Sequence, residues 1–442
     1  MDVETPSAAD SGPTATYAVV AGGAAAALAV AAVRLPPVAA ALTVAWTALA
    51  AGAAARIVGD GLLALRSPSP PPPPAKWPSV SVVVVAYNEA DVLGATLAAC
   101  RALDYPSFEV VVCYESASTD GTAAVAEAAA REDDRVTAVR RDGSPAGKAA
   151  AVNDAVARAS GDVIASIDAN QRPDERFLRR AVRWFRDDDV RCVKGRCYGT
   201  NPGDSLVALH ATVERHLLER AEFYAREVAG GLTLFTGGQV VFRADLLDDV
   251  GSFDESVLTE DIEMACRVHE AGFGVRVDPG VVTYERNPAS LGALLAQRKR
   301  WARGVFQVAR RHAVALLRSP WVSPVAKLDA AFTFGYALLA PLLALSLPAV
   351  LVAAPPPSQR PVAAALRLSP AVAVPVTAAL VFGVDRVAGR SHAPREYLAA
   401  LTLPIYAAVQ SAVVVTAFLD EFLLDAPTTY VTSSTEEPSA DD

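Results

Sequence analysis

The sequence predicts an α/β domain built on a doubly wound, mixed sheet and flanked on both sides by transmembrane α-helices. Three observations carry this expectation. Long uncharged runs lie towards both ends of the chain, β-branched runs alternate with Ala-rich helical stretches between them, and polar residues follow the carboxyl end of each predicted strand. The composition agrees, since 52% of the 442 residues are hydrophobic and only 20% are charged, more apolar than an ordinary soluble domain of this size.

An acidic tail, residues 1–16, carries Asp2, Glu4 and Asp10. Residues 17–33 and 35–55 are uncharged and each approaches the ~20 residues needed to cross hydrocarbon, so residues 17–57 read as a pair of spans. The acidic residues ahead of them argue against a cleaved signal, which would be preceded by basic ones. Residues 58–78 read as a linker whose Pro-rich part, 67–74, is a stiff extended spacer. From 79 to 308 the composition becomes that of an α/β domain. It opens with Val80-Ser81-Val82-Val83-Val84-Val85, a buried parallel strand. Residues 109–113 and 162–168 are two more strands, and 91–101, 122–130 and 148–160 are helical, which is the alternation of a doubly wound sheet. Residues 309–326 read as an interfacial segment. Three further spans fall within 327–424, at 327–353, 368–384 and 397–419, separated by Pro355-Pro356-Pro357 and by an Arg-bearing loop. The acidic tail, 425–442, is expected to be disordered.

Charge sets the expected topology. The loop 385–396 carries Arg386, Arg390 and Arg395, and Arg56, Arg66 and Lys76 follow the first pair of spans. Positive residues favour the cytoplasmic side, so a multi-pass protein of the cell membrane with its central domain in the cytoplasm is expected. Cys100, Cys113, Cys192, Cys197 and Cys266 lack C-x-x-C spacing and read as reduced, buried thiols, as in a reducing compartment. A net charge of −9 with no basic block excludes broad nucleic-acid binding.

The first strand ends in Ala86-Tyr87-Asn88-Glu89. The second leads into Tyr114-Glu115-Ser116-Ala117-Ser118-Thr119-Asp120-Gly121-Thr122, and the third ends in Asp168-Ala169-Asn170. Ligands of such sheets bind at the carboxyl ends of the strands, so these groups converge as a binding crevice requires. Singly they have structural readings: Ser118, Thr119 and Asp120 can cap a helix, Gly121 can relax a turn and Asp168 can cap a strand end. Likewise Glu260 and Asp261 can fill the first turn of a helix capped by Thr259 and ended near Gly272. His210, His216, His269, His312 and His392 show no zinc-type grouping, and His210 and His216 read as ordinary helix residues. There is no P-loop and no Gly-x-Ser-x-Gly elbow.

In this order the residues resemble the family 2 glycosyltransferases. Besides the three strand ends, Lys148, Asn153 and Gly161-Asp162 match the helix and turn before the family's Asp-x-Asp motif. Thr236-Gly237-Gly238 and Phe242-Arg243 match its acceptor-side strand, Val250-Gly251-Ser252-Phe253-Asp254-Glu255 leads to Thr259-Glu260-Asp261, and Gln297-Arg298-Lys299-Arg300-Trp301 matches Gln-x-x-Arg-Trp. The last motif resembles that of membrane-embedded, cellulose- and hyaluronan-synthase-like enzymes of polysaccharide biosynthesis. The resemblance implies a nucleotide-sugar-binding, GT-A type sheet and an inverting transfer from a nucleotide-diphosphate sugar to a lipid-linked or growing polysaccharide acceptor, beside membrane lipids. It implies Asp261 as catalytic base, because the acceptor hydroxyl must lose its proton as it attacks. Ala86, Tyr87, Asn88, Glu89, Glu115, Ser116, Lys148, Asp168, Gln297 and Arg300 would meet the donor, and Gly237, Gly238, Glu260 and Trp301 the acceptor. Asp168 and Asn170 would hold Mg²⁺ or Mn²⁺.

Gln297, Arg300 and Trp301, at i, i+3 and i+4, share one helix face. There a guanidinium can bind phosphate oxygens bidentately while the indole gives a sugar ring a flat platform. The competing account of this segment is an interfacial helix whose Arg298, Lys299, Arg303, Arg310 and Arg311 sit among anionic head groups. Two positions depart from the family pattern. Glu115-Ser116 stands where paired aspartates are usual, and Asn170 replaces the second aspartate of Asp-x-Asp, so the cation site keeps a hard oxygen but loses one negative charge. These departures leave a second expectation open, a weakened or non-catalytic relative that binds nucleotide sugar or partners. A transporter is disfavoured because the predicted spans carry no buried charge, Arg367 lying just outside one.

Overall fold

The computed structural model describes residues 14–143, 147–352, 360–424 and 426, so most of both expected tails and Pro355-Pro356-Pro357 lie outside the described residues. Eight strands form one sheet: β1 (Val80–Ala86), β2 (Phe108–Glu115), β3 (Val136–Arg141), β4 (Val163–Asp168), β5 (Gln171–Pro173), β6 (Val190–Gly199), β7 (Val240–Arg243) and β8 (Gly274–Glu285). Their order is β3-β2-β1-β4-β7-β6-β8-β5. The four strands β3, β2, β1 and β4 run parallel, whereas β7 is antiparallel to β4 and β6 on either side of it. All seven residues of β1 are buried, and alternation sends them to two faces. Val83 and Val85 join Ala149, Val152 and Phe253 on one, and Val82 and Val84 join Leu93, Leu97 and Ala126 on the other. Helices therefore cover both faces, as parallel strands require. The register places Val85 beside Asp168, Ala86 beside Tyr114 and Glu115 beside Arg141, which brings the carboxyl ends of four strands to one edge.

Two expected boundaries are corrected. The linker does not begin at 58, because the helix Pro36–Leu63 runs on; a Cβ on its Gly61 would sit 2.9 Å from Thr377 Oγ1, so glycine here permits close helix packing and does not break the helix. No break falls at 308 either. The helix Leu291–Arg318 starts at the Ser290 side chain, which accepts from Ala293 N at 3.2 Å, and meets no stop signal before Ser319-Pro320.

The Pro-rich segment is docked on the domain instead of standing free as a spacer. Arg183 donates to the carbonyls of Pro70 and Pro71, and Arg186 Nη1 donates to Pro72 O at 3.3 Å; an extended Pro-rich chain has no internal hydrogen bonds, which leaves these carbonyls available. Arg183→Ala is expected to weaken this docking by about 1 kcal/mol, read as faster trypsin cleavage after Arg66 and Lys76.

Among the described residues four helices, Pro36–Leu63, Pro324–Leu351, Pro361–Val387 and Pro394–Phe422, are long and apolar enough to cross a membrane, whereas the apolar part of the first helix, Val19–Arg34, is shorter. Their outer surfaces expose Val44, Leu342, Leu351, Val372 and Ile405. The helix through 360–387 takes in charges that the sequence reading left outside the span 368–384, Arg367 and Asp385 among them. Arg367 Nε lies 3.3 Å from Thr47 Oγ1, and Asp385 receives Arg196 Nη1 and Nη2 at 2.6 and 2.7 Å. The loop after Asp385 packs on the sheet, with the Arg390 guanidinium 4.4 Å from the centre of the Tyr198 ring and its Nη1 3.2 Å from Tyr284 Oη. The Arg-bearing loop and the α/β domain therefore lie on the same side of the apolar helices.

Candidate active site

The site is assembled around Asp168, the last residue of β4. Its Oδ1 lies 2.5 Å from Lys148 Nζ, and the same ammonium is 3.5 Å from Glu260 Oε1. Lys148 begins the helix Lys148–Val156 and Glu260 begins the helix Glu260–Glu270, so one cation ties two helix starts to a strand end. Asp168 Oδ2 accepts from Gly238 N at 3.0 Å. The preceding amide, Gly237 N, donates to Asp261 Oδ2 at 2.5 Å, and Asp261 Oδ1 accepts from Ile262 N at 2.8 Å. Two successive N–H groups thus clamp Asp168 and Asp261 side by side. Glycine is required at both positions: Gly237 has φ +71, and a Cβ on Gly238 would sit 2.1 Å from Asp168 N.

The surrounding carboxyls are desolvated. Burial, reinforced by the nearby Asp168 carboxylate, pushes Glu89 up to about 8, so its carboxyl is mostly protonated at neutral pH. Burial likewise raises Glu260, with Lys148 opposing. The loops after β1 and β2 are tied to each other. Asn88, at φ +54, accepts from Thr119 N at 2.8 Å, its own N donates to Ser118 Oγ at 3.3 Å, and Asp120 accepts from Ala90 N and Thr122 N, both at 3.0 Å. Ala86 is buried at the tip of β1, Tyr87 is half-buried beside it, and Asn170 is half-buried in the turn after β4. Glu115 is buried and engaged elsewhere, both its oxygens lying 3.1 Å from Arg141 Nη1, while Ser116 N donates to Arg141 O at 2.9 Å.

The helix Leu291–Arg318 rests on the segment before Asp261. A Cβ on Gly304 would be 2.4 Å from Thr259 Cγ2, Gln307 Oε1 accepts from Leu258 N at 3.0 Å, and Arg300 Nη1 donates to Leu258 O at 3.4 Å. Thr259 does not cap its helix as the structural reading expected. Its side chain makes no cap bond and its hydroxyl is buried without a partner, because it is packed against Gly304. Trp301 lies under the Arg298 guanidinium, 4.2 Å from the ring centre, and Gln297 Oε1 accepts from Arg298 Nη1 at 2.9 Å.

On the competing account of an interfacial helix, four of its five basic residues form ion pairs within the protein, although Arg311 stays exposed. Arg298 pairs with Glu214 at 2.5 Å, Lys299 with Asp420 at 2.6 Å, Arg303 with Glu421 at 3.4 Å and Arg311 with Asp254 at 2.5 Å. Acidic residues of the last apolar helix and of the domain supply the counter-charges from within the protein.

Sequence reasoning missed Arg141, Gly304 and Gln307. Gly304 did leave a signal, since a glycine inside a long helix costs about 1 kcal/mol relative to alanine and asks for a packing reason. The other two are recognisable only through their tertiary partners. His312 was passed over as well, yet it braces the two helices of the site, with Nδ1 2.9 Å from Glu270 and Nε2 3.1 Å from Glu263. Burial disfavours the charged ring, but the two carboxylates outweigh it and push its pKa up to about 9. The stability this gives is fully present below the unfolded value near 6.5 and is lost as pH rises through about 9. Thermal melts are therefore expected to show the wild type losing its advantage over His312→Gln between about pH 6.5 and 9; parallel pH profiles of the two would refute the bracing role.

The ligands expected here, the Asp168 carboxylate and the Asn170 amide, would both offer oxygen, which suits a hard divalent cation. Both Asp168 oxygens already have protein donors, so the set fits such an ion when a diphosphate supplies most of the remaining ligands.

Residues 78–304, half of the chain, match the model described as glycosyltransferase like family 2. The probable glycosyltransferase YdaM of Bacillus subtilis (strain 168) is 28% identical over 232 residues, covering 51% of this chain and 55% of that protein. The beta-monoglucosyldiacylglycerol synthase of Synechocystis sp. is 31% identical over 237 residues, covering 52% and 48%. The chain spans about half the length of the curated relatives it matches. Among solved structures, the mannosyltransferase PcManGT from Pyrobaculum calidifontis, in complex with GDP-Man and Mn²⁺, shares the fold with a TM-score of 0.56 at 24% identity, over 88% of this chain and 99% of that one.

Proposed function

The chain belongs to the glycosyltransferase like family 2, and on that premise we propose that it is an inverting transferase. It moves a sugar from a nucleotide-diphosphate sugar to a lipid-linked or growing polysaccharide acceptor at the cytoplasmic face of the cell membrane. The observation that carries this reading is the clamp of Gly237 and Gly238, whose adjacent amides hold Asp261 and Asp168 side by side.

In the proposed step Asp261 takes the proton of the acceptor hydroxyl as its oxygen bonds to the anomeric carbon and the bond from that carbon to the diphosphate oxygen breaks. Oxygen attacks from the side opposite the departing diphosphate, which inverts the centre. Lys148, between Asp168 and Glu260, provides positive charge where the diphosphate leaves. Asp168 and Asn170 would hold the divalent cation, which when bound offsets diphosphate charge. Arg300 and Gln297 would contact the diphosphate and Trp301 the acceptor, with Glu260 and the two glycines lining its side. The Gln297-to-Trp301 motif supports the membrane-embedded synthase type. A cytoplasmic domain is supported by Arg386, Arg390 and Arg395 on the loop packed against it and by five cysteines that are all free and buried.

The test is incubation of membranes containing the full chain with labelled nucleotide sugars. Transfer of label to lipid or polymer is expected, EDTA should lower it by at least about tenfold and Mn²⁺ should restore it. If no nucleotide sugar is transferred or hydrolysed, the reading fails; tight nucleotide-diphosphate binding without transfer would instead support the weakened relative.

A further inference from the structure

Away from the crevice, the loop between the last two long helices meets the helix Leu206–Leu217 and brings together residues far apart in sequence. His216 comes from that helix, and His392 and Glu396 flank the start of the helix Pro394–Phe422. One ligand atom from each of the three lies within 4.8 Å of the others. Glu396 Oε2 is the common point, 3.0 Å from His392 Nδ1 and 3.4 Å from His216 Nε2. Zinc bonds of about 2.0–2.2 Å place tetrahedral ligand atoms roughly 3.3–3.6 Å apart, so both Glu396 contacts are near that spacing, and the two histidine nitrogens, within 4.8 Å of each other, would draw together on an ion.

The surroundings are those of a metal site. The far nitrogen of His392, Nε2, lies 3.0 Å from Asp385 Oδ2, and Asp385 is itself fixed by two hydrogen bonds from Arg196. A carboxylate on the outer nitrogen is the arrangement that orients a metal-bound imidazole. Aromatic rings pack against both imidazoles, with Phe382 stacked on His392 at 4.2 Å and Tyr198 5.4 Å from His216. His216 is only 3% exposed, yet its Nδ1 has no hydrogen-bond partner and its Nε2 meets the carboxylate only at 3.4 Å. An ion bound at Nε2 would replace this long contact with a direct bond. Two imidazoles and a carboxylate suit Zn²⁺, in contrast to the oxygens around Asp168, which suit Mg²⁺ or Mn²⁺.

We propose that His216, His392 and Glu396 form a zinc site that clasps the loop between the last two long helices to the α/β domain. It acts as a structural tie, independent of the transfer chemistry. The test uses the full chain in detergent, free of any histidine tag, stripped with a chelator and titrated with Co²⁺ and Zn²⁺. A single equivalent of Co²⁺ is expected to give the visible absorption of a four- or five-coordinate ion with nitrogen ligands, displaced by Zn²⁺, and Zn²⁺ should raise the melting temperature. Asp168→Asn should keep this absorption, whereas His216→Gln and His392→Gln should each abolish it. Absorption that survives both histidine variants overturns the proposal. Should those variants not be obtained folded, the wild-type spectrum decides: only weak, oxygen-ligated absorption would mean a hydrogen-bonded cluster and no zinc site.

Discussion

Asp261→Asn is expected to slow sugar transfer by about 10²–10⁴, the contribution a positioned base makes, while donor KM stays nearly unchanged. The substitution keeps the side chain's shape, and a carbonyl oxygen can still accept from Gly237 N or from Ile262 N, whose bonds to Asp261 are 2.5 and 2.8 Å. What is lost is the ability to take up a proton. A purely structural Asp261, placed in the first turn of its helix to meet the dipole, predicts something else: about 0.3–1 kcal/mol of stability lost, with kcat unaltered. Measuring kcat, donor KM and melting temperature on the same preparation separates the two accounts. A kcat within about twofold of wild type would remove Asp261 from the chemistry and the proposed mechanism with it.

The sequence made the middle of the sheet plain and its far side obscure, for a physical reason. β1, β2 and β4 are largely buried on both faces and therefore read as mainly apolar runs, richest in Val in β1 and β2. β6 and β8 carry Lys194, Arg196 and Asp278, charges that would ordinarily argue for a surface, yet all three are buried. Each is compensated by a distant residue: Lys194 by Glu219, Arg196 by Asp385, Asp278 by Arg180. Pairing across 189 residues, as from Arg196 to Asp385, leaves no trace in local pattern.

The site divides in the same way. Asp168, Lys148, Glu260 and Asp261 were nameable from ordered motifs, and the structure draws them together. Only tertiary contacts reveal that Glu115 faces Arg141 or that basic residues on the helix through Trp301 are spent on Glu214, Asp420 and Glu421. The boundary errors at 58 and 308 share a cause: a change of composition was read as a change of element, although the helices there meet no residue able to stop them.

Gly238→Ala is expected to cost about 10² or more in transfer rate, the penalty for a misplacement near 1 Å in a reacting site. The added Cβ would meet Asp168 N at 2.1 Å and Ile167 C at 2.7 Å. These are backbone atoms of β4, whose Ser166 is paired with Val240 just beyond Gly238, so no flexible side chain can yield. The strand end must shift, and Gly238 N then leaves Asp168 Oδ2. Because Gly237 is the adjoining residue, its amide turns away from Asp261 in the same movement, and the carboxylates of the proposed cation site and proposed base are displaced together. Losing a hydrogen bond to a charged group adds about 1.5–3 kcal/mol of destabilisation, measurable as a lower melting temperature. Gly292→Ala is the matched control, since it lies on a helix with nothing within 4 Å of the new Cβ and should leave the rate alone while stabilising by up to about 1 kcal/mol. A Gly238→Ala protein that transfers sugar at the wild-type rate would show that the paired amides do not set the geometry of the reaction.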